Sequence, residues 1–533
     1  MRFFLPLFSS LSLLAAPALA AFGATLSGSR LTIDTGASLT FTLSTTTGDI
    51  RSIKYGGKEL PDQSKFSHVA SGLGSASVSY EVGAETVVVR ATSTSIGGDI
   101  TQYTIARKGE NTIYHATRAA SEPTVGELRF IYRLSRSTLP NGYAQSDVLD
   151  CGAAIEGEDV FLCSDQTRSK FYSSRQFIDD KVHGVSGDGV AAWMVVPGTG
   201  YEKSSGGPFF RDIDNQGSSQ QELYFYMNSN HMQTEDYKVG LYGPYALVIT
   251  DGSEPSADLD TSFMDSLGLR SYYAEADRGY VKGTASGVAS EFGDYITVGW
   301  KTVHAQYWTR ASSNGAFTSP AMIPGTYTQT LYKMELEVGH VNSVVVNAGQ
   351  TITADVASSE TSPSTIWTIG GAPDGTPRGF LNADKIKTMH PSDARMSSWG
   401  PVVFRIDSSS DAEWPMAQFK AVNDGNQVVF ALSAEQAASA KTIEIGVTSS
   451  ANGGRPQVTV NSYTGSAPAA PTKIDSRGIT RGTWRGYNSA YTTTIPASAL
   501  VEGENTATIS VISGSGGDKF LSPSVVFDYL RFY

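Results

Sequence analysis

The sequence predicts an all-β protein of three consecutive units: a large β-sandwich, a small Ig-like or fibronectin-like sandwich, and a jelly roll. Three observations carry this. Short runs of β-branched and aromatic residues recur along the chain between Gly, Ser and Thr, the strand-and-turn pattern of all-β folds. No long amphipathic helical repeat interrupts them. Gly reaches 54 of 533 residues while charged residues make up 17 %, below a typical ~25 %, a balance that suits tight turns between strands. At about 150 residues per domain the length holds three or four domains, each able to build its own core.

Residues 1–20 read as a secretory signal. Arg2 precedes an apolar run from Phe3 to Leu14, and Ala15-Ala16-Pro17-Ala18-Leu19-Ala20 supplies the small residues a signal peptidase needs. The apolar core is shorter than the ~20 residues of a membrane span, so a soluble, extracellular product is expected. Residues 21–275 form the first unit, with strand signals such as Leu39-Thr40-Phe41-Thr42-Leu43 and Thr86-Val87-Val88-Val89 and no clear linker. Residues 276–357 shift to a compact run of strands, among them Tyr295 to Trp300 and Gln306-Tyr307-Trp308-Thr309. Residues 358–533 begin in a polar, proline-punctuated stretch and continue through strands at Val402 to Ile406, Thr442 to Val447 and Val525 to Leu530, a jelly-roll spacing.

The formal net charge of -12, from 40 Lys plus Arg against 52 Asp plus Glu, provides no basic field, which argues against nucleic acid and anionic membranes as partners. The 25 Tyr, 23 Phe and 7 Trp make sugar stacking available. Only Cys151 and Cys163 occur, and in an oxidising compartment they are expected to pair, bracing a small loop by on the order of 2–3 kcal/mol. Two buried thiols are the alternative. No zinc site follows from two Cys without His at ligand spacing, and no Asn-x-Ser/Thr sequon is present.

Standard catalytic motifs are missing: there is no Walker A loop, His-Glu-x-x-His, nucleophile elbow or EF-hand loop. Two clusters carry possible chemistry. Lys170 lies in the polar loop Ser164 to Arg175, directly after Cys163, where the disulfide can hold it; a solvated surface lysine is the alternative. In Tyr224-Phe225-Tyr226, strand alternation puts both tyrosines on one face, and a polar turn carrying His231 follows, so phenols and an imidazole are available for acid/base work. Core tyrosines and a turn histidine are the alternative. The other histidines, His115 and His304 among them, make no stronger case.

Ser169-Lys170-Phe171-Tyr172-Ser173-Ser174, the Tyr-x-Tyr-Met-Asn-Ser-x-His-x-Gln-Thr-Glu stretch from Tyr224 to Glu235, and Gly240-Leu241-Tyr242-Gly243-Pro244-Tyr245 resemble the fungal rhamnogalacturonan lyases of polysaccharide lyase family 4, over essentially the whole mature chain. The resemblance implies a galactose-mutarotase-like super-sandwich, then a fibronectin-type module, then a carbohydrate-module-like jelly roll. It implies endo cleavage of Rha-α-1,4-GalA bonds in rhamnogalacturonan I by β-elimination. Lys170 would act as base at C5 of galacturonate, and His231 would protonate the leaving O4 or stabilise charge on it; the two could also exchange roles. Arg129 and Arg133, four apart on one strand face, are candidates to neutralise the galacturonate carboxylate, with Tyr224 and Tyr226 lining the cleft. No cofactor or metal is expected for catalysis, and a monomer is expected. The sequence is silent on a structural calcium.

In the third unit Arg477, Arg481 and Arg485 recur among glycines with Trp484 and Tyr487 between them. Such a loop suits an acidic sugar chain; packing between strands or units is the alternative, and slightly the stronger one. A different class of function also fits the three sandwiches, a secreted pectin-binding protein without catalysis.

Overall fold

The computed structural model describes residues 22–124, 126–229, 231, 233–472 and 478–533. The expected signal segment and Arg477 lie outside the described residues. Strands dominate throughout: among the described residues the α-helix is a single turn, Ala434–Ala437, and the other helical pieces are 3-10 turns.

The largest sheet has seven antiparallel strands, in the order Val182–Gly187, Val190–Val195, Gly240–Thr250, Thr112–Ala119, Ile100–Arg107, Thr86–Ser93 and Ser77–Val82. Successive side chains of a strand point to opposite faces, and this sheet buries both. In Gly240–Thr250, Tyr242, Tyr245, Leu247 and Ile249 enter the main core, whereas Leu241, Ala246 and Val248 join a second cluster with Met264 and Leu269. A pairing irregularity between His115 and Thr117 accounts for the change of phase between Tyr242 and Tyr245. The main core is completed by Phe130, Tyr132, Leu223 and Phe225 from a four-stranded sheet and by Leu31, Ile33 and Phe41 from a five-stranded meander.

Two further cores follow in chain order. One gathers Val281, Trp300, Tyr307 and Leu331 between two four-stranded sheets. The other gathers Trp367, Trp414, Phe430 and Phe527 between two five-stranded sheets.

The units meet through polar contacts. Buried Glu202 pairs with Arg278 at 2.7 Å and accepts from the Tyr307 hydroxyl at 2.7 Å. Gln176 donates to Glu335 at 2.7 Å. Thr167 donates through its N–H and hydroxyl to Asp393, at 2.9 and 3.0 Å, and Tyr172 donates to the Thr480 carbonyl at 3.1 Å. At the centre is Arg211. Its Nε donates to Ser174 Oγ at 2.7 Å, one Nη to the Phe171 carbonyl at 2.7 Å and the Lys387 carbonyl at 3.2 Å, and the other to the Gly482 carbonyl at 3.2 Å. Burial pulls this guanidinium down to about 10, still charged at neutral pH.

Replacing Arg211 by Met keeps bulk but strands the carbonyls of Lys387 and Gly482, while Ser174 Oγ and the Phe171 carbonyl keep their mutual hydrogen bond. At about 1–3 kcal/mol for each buried group left unpaired, the variant should lose several kcal/mol, read as a lower denaturant midpoint. A midpoint equal to wild type would show that the guanidinium is dispensable to the interface.

Candidate active site

The antiparallel strands Leu128–Leu134 and Gln221–Asn228 pair with Arg129 opposite Tyr226, Ile131 opposite Tyr224 and Arg133 opposite Glu222. Directly opposed residues share a face, so these six make one stripe, while Phe130, Tyr132, Leu223 and Phe225 point the other way into the core. Arg129 donates to the Tyr226 hydroxyl at 2.8 Å, forms an ion pair with Glu127 and lies 5.6 and 5.8 Å from the ring centres of Tyr226 and Tyr224. The Tyr226 hydroxyl donates in turn to Glu127 at 2.8 Å. Arg133 pairs with Glu222, which accepts from the Tyr224 hydroxyl at 2.5 Å.

Each of the two arginines expected to meet a substrate carboxylate therefore already carries a protein carboxylate. Glu127 and Glu222 were missed by the sequence reading, although strand alternation places Glu222 on the face of Tyr224 and Tyr226. Burial pushes both tyrosine hydroxyls well above their usual range, with the charge of Glu222 adding to the effect at Tyr224. They act as hydrogen-bond donors at neutral pH.

Lys170 opens the 3-10 turn Lys170–Ser173, whose start is fixed by the Phe171 N–H donating to Ser169 Oγ at 3.1 Å. The turn follows a three-stranded sheet, Ala154–Glu156, Val160–Leu162 and Thr167–Ser169, beside which Cys151 and Cys163 are bonded as expected. Lys170 Nζ lies 2.6 Å from Asp159 Oδ1, and Arg481 from the third unit reaches Asp159 Oδ2 at 2.8 Å. Arg481 also stacks over Phe171 at 5.0 Å. Of the two readings of this arginine and tryptophan loop, packing between units is the one its buried residues fit. Arg481, Trp484 and Arg485 are only 2, 8 and 9 % exposed, with Trp484 in the third unit's core and Arg485 donating to the Gly206 carbonyl at 2.5 Å, while Tyr487 of the same loop is 47 % exposed.

Phe171 connects the two candidate clusters. Its ring meets that of His231 edge-on at 4.9 Å, and it packs with Ile131, Ile213, Tyr224 and Tyr226. The His231 ring centre is 6.3 Å from that of Tyr226, so Lys170, His231, Tyr224, Tyr226 and Arg129 gather around one small apolar cluster. Arg133 lies one pair further along the stripe. His231 Nδ1 is 3.1 Å from Asp212 Oδ2 and 3.0 Å from Ser229 Oγ, and its side chain is 25 % exposed. Asp159 and Asp212 have no local sequence signal, because their partners come from other segments. His115, by contrast, is enclosed between sheets, where burial pulls it down to about 3; it is a neutral core group.

Behind the stripe, His183 Nε2 donates to the Tyr224 carbonyl at 2.7 Å and Nδ1 to Asp180 at 2.9 Å. Both nitrogens face acceptors, so the ring is an imidazolium. Burial works against that charge, but Asp180 and Asp214 more than offset it and hold the group up at about 9. Asp180, His183 and Asp214 have ligand atoms within 4.8 Å of one another, the spacing of a metal site, yet the hydrogen bonds of His183 already occupy its ring nitrogens.

A group raised to about 9 from an unfolded value near 6.5 contributes stability that is complete below about pH 6.5 and lost as pH rises through about 9. Wild-type protein should thus lose a few kcal/mol across that window. In His183→Gln this part of the decline should vanish; an unchanged slope of stability against pH would remove His183 as its cause.

A family model described as Rhamnogalacturonan lyase B, N-terminal, matches residues 22–271; models described as Polysaccharide lyase family 4, domain II and domain III, match residues 277–354 and 365–532. A curated protein from Aspergillus aculeatus named rhamnogalacturonate lyase A is 48 % identical over 519 residues, covering 96 % of each chain. One of the same name from Emericella nidulans is 48 % identical over 532 residues, covering 99 % of each. Among solved structures, a galactose 1-epimerase from Lactobacillus acidophilus NCFM aligns with 42 % of this chain and 95 % of its own at 6 % identity, with a TM-score of 0.27, a likeness that carries no argument.

Proposed function

This chain belongs to polysaccharide lyase family 4, and from that premise we propose that it is a secreted endo-acting lyase of rhamnogalacturonan I. It cleaves Rha-α-1,4-GalA bonds by β-elimination and leaves a 4,5-unsaturated galacturonate at the new non-reducing end. The observation that carries the reading is the meeting of two separate segments at Phe171, which follows Lys170 in the chain and packs edge-on against His231, beside two tyrosines and Arg129.

The reaction removes H5 of galacturonate, α to a carboxylate, and expels the O4 substituent with the C5–H electron pair becoming the C4–C5 double bond. Negative charge accumulates on the carboxylate as H5 leaves, so cations beside it stabilise the transition state. Lys170 is assigned the base in its neutral amine form: the nitrogen lone pair takes H5, and Asp159 holds the ammonium so formed. His231 protonates O4; its Nε2 has no hydrogen bond to a described residue, and the ring is partly open to solvent. Arg129 and Arg133 serve the carboxylate by sharing each guanidinium between the substrate and Glu127 or Glu222. The hydroxyls of Tyr224 and Tyr226 act with them as hydrogen-bond donors. These side chains supply the charge neutralisation, and no metal ion is assigned to the reaction. Secretion is supported by the leader-like sequence and by the Cys151–Cys163 bond.

Incubation with rhamnogalacturonan I should raise ultraviolet absorbance as the unsaturated uronate forms. Reducing ends without that rise would make the protein a hydrolase, and neither would make it a binder. Lys170→Ala and His231→Ala should each lower kcat by about 10²–10⁴-fold at unchanged thermal stability; near wild-type turnover in either removes that residue from the chemistry. Activity should persist after exhaustive chelation, and its loss, restored by a divalent cation, would overturn the metal-free mechanism.

A further inference from the structure

We propose that Asp212 is the positioning residue of His231: it fixes the imidazole with its proton on Nδ1 and leaves Nε2 as the working nitrogen at the cleft. The inference rests on the reading that His231 takes part in the elimination.

The Asp212 side chain is 1 % exposed. Its Oδ1 accepts from the Ile213 N–H at 2.8 Å, and its Oδ2 accepts from the Ser229 hydroxyl at 2.5 Å while lying 3.1 Å from His231 Nδ1. Ser229 has one proton to give, and at that separation it goes to the carboxylate. The Ser229 oxygen therefore turns a lone pair toward Nδ1, 3.0 Å away. Nδ1 thus faces two acceptors, a carboxylate oxygen and a hydroxyl oxygen, and only an N–H satisfies that arrangement. When the ring is neutral, Nε2 carries the lone pair; when it is charged, Nε2 carries the second proton.

In both states the nitrogen that changes protonation is the one not bound to Asp212, so the ring can accept or deliver a proton without rotating. The edge-on contact with Phe171 at 4.9 Å opposes rotation as well. Without the carboxylate the imidazole would be free to take the Nε2–H tautomer that free histidine prefers. A neutral ring in that tautomer has no lone pair at the cleft. Buried carboxylates that orient a catalytic imidazole work in this way in hydrolases.

The test combines kinetics with ¹⁵N NMR of histidine-labelled protein, in which seven histidines need assigning. In the wild type the neutral His231 ring should show a protonated Nδ1 and a bare Nε2. Asp212→Asn can present its amide N–H to Nδ1 and reverse the tautomer. It should lower kcat on the order of 10³–10⁴-fold, with KM changed by less than about threefold. Turnover near wild type in Asp212→Asn, or lost turnover with the tautomer unchanged, would overturn the proposal. A wild-type spectrum with the proton on Nε2 would overturn it without any variant, which keeps the test decisive if Asp212→Asn does not fold. His231→Ala is assayed in parallel. If it stays active, the role of His231 falls and the tautomer still tests the hold of Asp212; if it is inactive while Asp212→Asn is not, only the positioning role falls.

Discussion

The site depends on one buried cation with no carboxylate among its hydrogen-bond partners in the described residues. Arg211 presents its donors in a rigid plane, so each acceptor must occupy a set direction. Two of them, Ser174 Oγ and the Phe171 carbonyl, belong to the segment that carries Lys170; two more, the carbonyls of Gly482 and Lys387, belong to the third unit. The guanidinium therefore sets the height of the lysine turn and docks the loop carrying Arg481 in the same act. The next residue, Asp212, holds His231. Consecutive residues of one short segment thus fix both the turn of Lys170 and the ring of His231, and the geometry of the proposed pair is inherited from a packing contact.

The charge balance follows from the same economy. A net charge of -12 is an unpromising background for an acidic polysaccharide, and one expects bare cations in the cleft to compensate. The structure instead pairs Arg129 with Glu127, Arg133 with Glu222, and Lys170 together with Arg481 with Asp159. Partnered cations are held in place before substrate arrives, so little reorganisation accompanies binding. On the proposed function, a substrate carboxylate would join an existing network as a further acceptor, and its recognition would be short-range and directional, with little contribution from a long-range field.

What the sequence revealed, and what it hid, divides by range of interaction. The all-β class was legible because a strand writes its faces into a period of two, as in Leu39–Ser44, where Leu39, Phe41 and Leu43 are buried. The same period placed Tyr224 and Tyr226 together. It also contained Glu222, overlooked because a lone glutamate in a strand looks like a solvent-facing residue. Lys170 and His231 stood out in local clusters, a polar loop after Cys163 and a polar turn after the Tyr-x-Tyr strand, and the family motifs supplied their roles. Asp159, and its contact with Arg481, could not be reached, since contacts between the lysine turn and the third unit join residues such as Tyr172 and Thr480 that are 308 apart. The arginine-rich loop was noticed for its composition, and its composition could not say which surface it faced. Trp484 joined the third unit's own core and Arg485 the first unit.

The pairing of Arg481 with Asp159 gives the chain a temporal order. Units emerge from the ribosome in sequence and tend to fold as they appear, so the first sandwich, whose last sheet strand is Gly240–Thr250, can close while roughly two hundred residues between it and Arg481 are still being made. Until the third unit docks, Asp159 has Lys170 for company but not the second cation that shares its charge. The finished electrostatics of the cleft are consequently a property of the completed polypeptide, acquired late in its biogenesis and in one step with the sealing of the interface. A nascent or truncated chain would carry the lysine and the histidine without the surroundings in which they are set.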